Sequence, residues 1–160
     1  MKVMIAIDGS ECSKAAVEFV TRRPWSEDDS FLVAHVVEPI PVDVGIAYVP
    51  AAYSQADGAA FEQAEALLKI VADELKAALP GHGVDTKVVF GTVTSELVDL
   101  AKEAAVDLIV MGSHGRKGFN RLFLGSVAEE VLKHAPCSVE IVKGAHHAVS
   151  GSGSASASQA

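Results

Sequence analysis

Residues 107–126 read Asp-Leu-Ile-Val-Met-Gly-Ser-His-Gly-Arg-Lys-Gly-Phe-Asn-Arg-Leu-Phe-Leu-Gly-Ser. The run from Asp107 to Met111 is short and apolar and stops at a glycine, as a strand covered on both faces does. A loop with glycines at 112, 115 and 118 follows, and then Gly125-Ser126. From there Val127, Ala128, Val131, Leu132 and Ala135 recur at helical spacing, with Lys133 and His134 placed against the negative end of the helix dipole. Strand, glycine-rich turn and helix make one βα unit.

The alternation extends in both directions. Further strands are predicted at Val3–Ile7, Phe31–Val37, Val84–Phe90 and Ser138–Val142. Ser10 and Glu11 start a first helix with Ala15, Ala16, Phe19 and Val20 as its inner stripe. Phe61, Ala64, Leu68, Val71, Leu75 and Leu79 mark a second, stopped by Pro80-Gly81. Thr94 is expected to cap a third, which buries Leu97, Leu100, Ala101 and Ala104. The pattern is that of an α/β fold: a doubly wound, five-stranded parallel sheet with helices on both faces.

At 160 residues the chain suits one domain, with 49% hydrophobic and 21% charged residues. Thirteen Lys and Arg against 21 Asp and Glu give a net charge of -8, a field that repels nucleic acid and anionic membranes. Two cysteines, Cys12 and Cys137, do not make a disulfide framework, and no Cys/His pair has metal-ligand spacing. The apolar run after Lys2 is too short for a signal-peptide core, so a cytoplasmic location is expected.

Two stretches break the rhythm. Glu38 to Ala56 carries three prolines and no clean period, and reads as a long loop able to shape a pocket rim. Gly144 to Ala160 is mostly Gly, Ser and Ala and reads as a flexible tail behind a domain of residues 1–143. In the last strand Val139 and Ile141 alternate with Ser138, Glu140 and Val142, which suits an edge open to a second copy of the chain.

In open parallel sheets ligands collect at the carboxyl ends of strands where the strand order reverses. Here those ends are Asp8-Gly9-Ser10, with a glycine-permitted turn, and Met111-Gly112 with the loop behind it. Glycines admit an anion close to backbone amides, and a helix amino end adds free N–H groups. Between Ser113 and Leu124 stand Arg116, Lys117 and Arg121 and no acid. A helix dipole contributes only about 0.3–1 kcal/mol to a bound anion, whereas micromolar affinity needs about 8 kcal/mol. Base and sugar contacts must supply the rest: Asp8 can accept from ribose hydroxyls, and Val36-Val37 offer backbone groups and apolar surface to a flat ring. The competing reading of Ser126 and Glu129 is a capping box that needs no ligand, and Asp8 can equally serve helix one. His114 is the best-placed histidine, and His35 reads as structural.

The spacing Gly112-x2-Gly115-x9-Gly125-Ser126, together with Val3-Met4-Ile5-Ala6-Ile7-Asp8-Gly9-Ser10 and Ala135-Pro136-Cys137-Ser138-Val139, resembles the universal stress protein family. The resemblance implies strand order 3-2-1-4-5, homodimers paired through the last strand at Val139 and Ile141, and bound ATP with Mg. It implies ribose near Asp8 and phosphates on Gly115, Gly125 and Ser126. The expected nucleotide set is Asp8, Gly9, Val36, Val37, Met111, Gly112, His114, Gly115, Arg116, Gly125, Ser126 and Val127. The function so implied is an ATP-binding regulatory homodimer of the stress response, with no catalytic residue assigned. A nucleotide-free interaction module and a slow ATP-hydrolysing enzyme are the alternatives. Against an enzyme stand the absence of a Walker A loop and of a glycine-rich anion loop directly after the first strand.

Overall fold

The five apolar runs form β1 (Lys2–Ala6), β2 (Ser30–Val37), β3 (Gly83–Phe90), β4 (Leu108–Gly112) and β5 (Ser138–Val142). Between them lie α1 (Glu11–Arg22), α2 (Gln55–Ala78), α3 (Val93–Glu103) and α4 (Ser126–His134). The computed structural model describes residues 1–39, 55–115 and 124–144, of which 55–57 by backbone alone. All neighbouring strands are parallel, in the order β3-β2-β1-β4-β5.

Side-chain alternation along β1 explains the two layers of core. Val3, Ile5 and Ile7 pack with Val17, Val20, Leu68 and Leu75 of α1 and α2. Met4 and Ala6 point the other way, onto Leu97, Leu100, Ala128 and Val131 of α3 and α4. Because both faces are covered, Val3, Met4 and Ile5 are fully buried, each stabilising the fold by about 1.5–3 kcal/mol. This double burial is why β1 and β4 run almost continuously apolar.

The helices follow the predicted spacing with three corrections. In α1 the buried set is Ser13, Ala16, Val17 and Val20, while Ala15 and Phe19 are only half-buried. The N-cap of α3 is Thr92, not Thr94: Glu96 already donates its backbone N–H to the Thr92 carbonyl, so Thr94 lies inside the first turn. On α4, Ala128 and Val131 are buried, Val127 and Ala135 are half-buried, and Leu132 is 52% exposed. At its other end, α2 closes with Leu79 donating to the Leu75 carbonyl before Pro80 and a left-handed Gly81.

The strand bounds differ from those expected by a residue or so. Asp107 precedes β4, and its carboxylate accepts the Lys2 backbone N–H at 2.6 Å, tying the amino ends of β1 and β4. Among the described residues β5 pairs with β4 alone and its outer edge carries no strand, and Val139, Glu140, Ile141 and Val142 are half-buried. The loop read as Glu38 to Ala56 gives way to α2 at Gln55, and its residues 40–54 lie outside the described residues, as do 145–160 of the tail. Among the described residues no helix is long and apolar enough to cross a membrane.

Candidate nucleotide site

The strand order reverses between β1 and β4, and their carboxyl ends open side by side. β1 ends where Ile7 donates its backbone N–H to Ala34 and accepts from the His35 ring at 2.7 Å. His35 therefore holds the exit of β1, the structural role expected of it. The chain then turns through Asp8 and Gly9. Gly9 has φ +78°, the left-handed region that glycine enters without a Cβ penalty. Asp8 Oδ1 accepts the Ser10 backbone N–H at 2.9 Å, and the Ser10 hydroxyl accepts from Ser13 N–H as the cap of α1. Asp8 thus stabilises the start of α1.

Gly112, Gly115 and Gly125 each have a close neighbour where a Cβ would stand. A Cβ on Gly112 would sit 2.6 Å from the Cys12 backbone carbon, so β4 and the first turn of α1 touch backbone to backbone. A Cβ on Gly115 would sit 2.8 Å from Asp8 Oδ2, which places the two strand ends in direct contact. A Cβ on Gly125 would meet the Ser113 carbonyl at 3.0 Å and His114 Cα at 3.3 Å. Gly125 also donates its N–H to that Ser113 carbonyl at 2.9 Å, closing the loop onto its own base. One amide of the motif is therefore used by the polypeptide.

The amides beyond it are not used within α4. Gly125 is the N-cap, with extended φ and ψ and no side chain to offer, and Ser126 is the first helical residue. The capping box read from Ser126 and Glu129 does not form: the Glu129 carboxylate pairs instead with Lys133 at 2.8 Å. Lys133 holds that carboxyl below the usual glutamate range. The N–H groups of Ser126, Val127 and Ala128 accordingly have no intrahelical carbonyl, and the N-cap residue has no side chain to offer them. They give this end of α4 its partial positive charge.

Strand alternation also sorts Val36 from Val37. The Ala34 carbonyl faces β1, so the backbone groups of Val36 face the same side, beyond the point where β1 has turned off into Asp8. Val37 faces β3, and its carbonyl accepts from Gly91 at 3.1 Å. Met111 is buried against the α3 and α4 layer, beneath the loop. His114 is half-buried, with Nδ1 3.1 Å from the Ser113 hydroxyl. Arg116 lies outside the described residues. Sequence reasoning passed over Ser113, which is 4% exposed and bonded to β5, Gly125 and His114. Its only signal was a small polar residue directly after a buried strand.

Two grooves among the described residues lie elsewhere. One of about 530 Å³ runs between α2 and β3 past Phe61, Leu68, Lys76 and Lys87. The other, of about 570 Å³, lies between α3 and α4 at Thr92, Asp99, Lys102 and His134. Both are open surface troughs, and neither contains the converging loop ends described above. Burial raises the Cys137 thiol pKa, which leaves that cysteine a packing residue.

A profile of the Universal stress protein family matches residues 1–143. Universal stress protein MJ0531 of Methanocaldococcus jannaschii is 33% identical over 144 residues, which cover 89% of this chain and 81% of that one. The solved structure of protein MJ0577, from the same organism, matches with a TM-score of 0.77 at 27% identity, covering 91% of this chain and 96% of that one. A universal stress protein crystallised in complex with cAMP matches at 0.66 and 25% identity, covering 91% and 98%.

Proposed function

The chain belongs to the universal stress protein family, and from that premise we propose that it is an ATP-binding regulatory homodimer of the stress response. The observation that carries the reading is the uncapped amino end of α4 beside the Asp8–Gly115 contact, at the reversal of strand order. In this reading the amides of Ser126 and Val127 bind phosphate oxygens, Asp8 accepts from the ribose hydroxyls, and the backbone of Val36 reads the edge of the base. Gly112, Gly115 and Gly125 keep the floor low enough for the ligand to reach them. The solved relative in complex with cAMP supports an adenine nucleotide as the ligand class.

Magnesium would be held mainly by the phosphates. Among the described residues no group of three or more His, Cys, Asp or Glu converges on a metal position, and Mg²⁺ commonly keeps several waters and binds through phosphates with one or two carboxylates. The edge of β5, open among the described residues, supports dimerisation there: a second copy would extend the sheet and cover Val139 and Ile141.

One observation favours the alternative of a nucleotide-free interaction module. Each motif glycine already has a packing reason within the chain. Melting the protein with and without Mg-ATP separates the two. Ligand at 100 times its Kd adds about 2.7 kcal/mol, or roughly 5–11 °C for a domain of this size. No shift with ATP, ADP or AMP, and no nucleotide released on denaturing fresh protein, would leave only the module.

A further inference from the structure

β3 is the other edge of the sheet: among the described residues it pairs with β2 alone. The phase of that pairing decides which of its backbone groups point outward. Gly91 donates to the Val37 carbonyl and Val37 lies opposite Phe90, so the odd-numbered residues of β3 turn their backbone groups towards β2. Those of Val84, Thr86 and Val88 point away from the sheet. Side chains sort by the same alternation. Val84 and Val88 pack against the α1 and α2 layer, whereas Asp85 and Lys87 project from the opposite face, where both are exposed. α2 does not close this edge, because an open trough of about 530 Å³ lies between its Lys69, Asp73 and Lys76 and the Thr86 and Val88 of β3.

Exposed charges on an edge strand ordinarily keep other strands away. In β3 their order favours one partner, an antiparallel copy of the same strand centred on Thr86. Asp85 then stands opposite Lys87 of the second copy, and Lys87 opposite its Asp85. Thr86 meets Thr86, and Val84 meets Val88, in hydrogen-bonded pairs made by the outward backbone groups. The charged residues fall in the intervening pairs, where side chains come closest. The two neighbouring registers that keep each face on its own side are centred on Asp85 and on Lys87, and both set like charges directly opposite. We infer that the outer edge of β3 is a self-association surface for a second copy of this chain, paired antiparallel about Thr86, with Asp85 and Lys87 choosing the register. It requires neither nucleotide nor pairing through β5. The contact is short, so the association is expected to be transient.

Sedimentation velocity of the full chain over a range of concentrations measures it. A twofold contact counts each substitution twice, so Asp85→Lys and Lys87→Asp are each expected to weaken association about tenfold. The variant carrying both changes restores the opposite pairs and is expected to return to within about twofold of wild type. Single variants that associate as wild type does, or a double variant no stronger than either single, overturn the inference and leave any oligomer to another surface. A chain that does not associate at all overturns it as well. Cross-linking tests the register separately. Facing residues of a hydrogen-bonded pair have Cα atoms about 5.5 Å apart, within the span of a disulfide. Thr86→Cys is therefore expected to link to its own copy under mild oxidation, well above wild type with its Cys12 and Cys137. Asp85→Cys and Lys87→Cys, each two positions out of step with its own copy, are expected to stay at the wild-type level. Equal linking at all three positions, or none in Thr86→Cys, overturns the register and the role given to the charges.

Discussion

α1 and α4 begin within one loop's reach of each other and end their first turns in opposite ways. At α1 the Ser10 side chain caps the helix, Asp8 binds the Ser10 N–H, and Glu11 adds a negative charge to the first turn. At α4 the cap is a glycine with nothing to contribute, and the acid of its first turn is drawn away by Lys133. The cap residue of α1 takes up one of its helix's first amides with its side chain, and that of α4 does not. Two helix starts that look alike in a chain of βα units thus differ: one is capped by a serine side chain beside a strand exit, and the other is the end to which the proposed site assigns an anion.

The sharpest way to break this comparison is at the turn both helices share. Gly112→Ala forces a Cβ to within 2.6 Å of the Cys12 backbone, which cannot swing aside as a flexible side chain would. A loss of about 3 kcal/mol, or roughly 6–12 °C in melting temperature, is expected by calorimetry. Gly115→Ala acts on one carboxylate oxygen of Asp8 instead. Here titration calorimetry should show about tenfold weaker ATP binding with little change in melting. Unchanged affinity would separate Asp8 from the ligand.

Ser10→Ala makes α1 resemble α4 by removing its cap. About 1 kcal/mol of stability, or 2–4 °C, should go with it in a thermal melt. A neutral result would mean that Asp8 alone organises the α1 start. The smallest effect concerns Glu129. Lys133 depresses its folded pKa, so its small contribution is present above the ordinary glutamate pKa of about 4.3 and is lost as pH falls through the lower, folded value. Carboxyl NMR titration should show the Glu129 midpoint rising towards the ordinary value in Lys133→Ala. No movement would return Glu129 to the capping role that the sequence suggested.

The strands were legible because β1, β2 and β4 are buried on both faces and their composition records it. Failures occurred where one residue type fits two adjacent roles. Thr92 and Thr94 are both plausible caps, and only the Glu96 to Thr92 hydrogen bond chooses. Leu132 keeps the helical period of α4, yet no described element covers it. Ser126-Val127-Ala128-Glu129 matches a capping box, but Gly125 takes the extended cap conformation and moves Ser126 into the helix. At the site the glycine spacing was readable, whereas the reasons for the glycines were not. Gly112 answers to Cys12 and Gly115 to Asp8, partners about a hundred positions away along the chain.

That distance has a consequence for synthesis. β1 leaves the ribosome well before its neighbour β4, whose Leu108 is set beside Val3 and is made about a hundred residues later. Contacts so far apart in sequence form late in folding. A nascent or truncated protein therefore has no crevice, and any occupant would bind only finished molecules and protect them selectively from proteolysis.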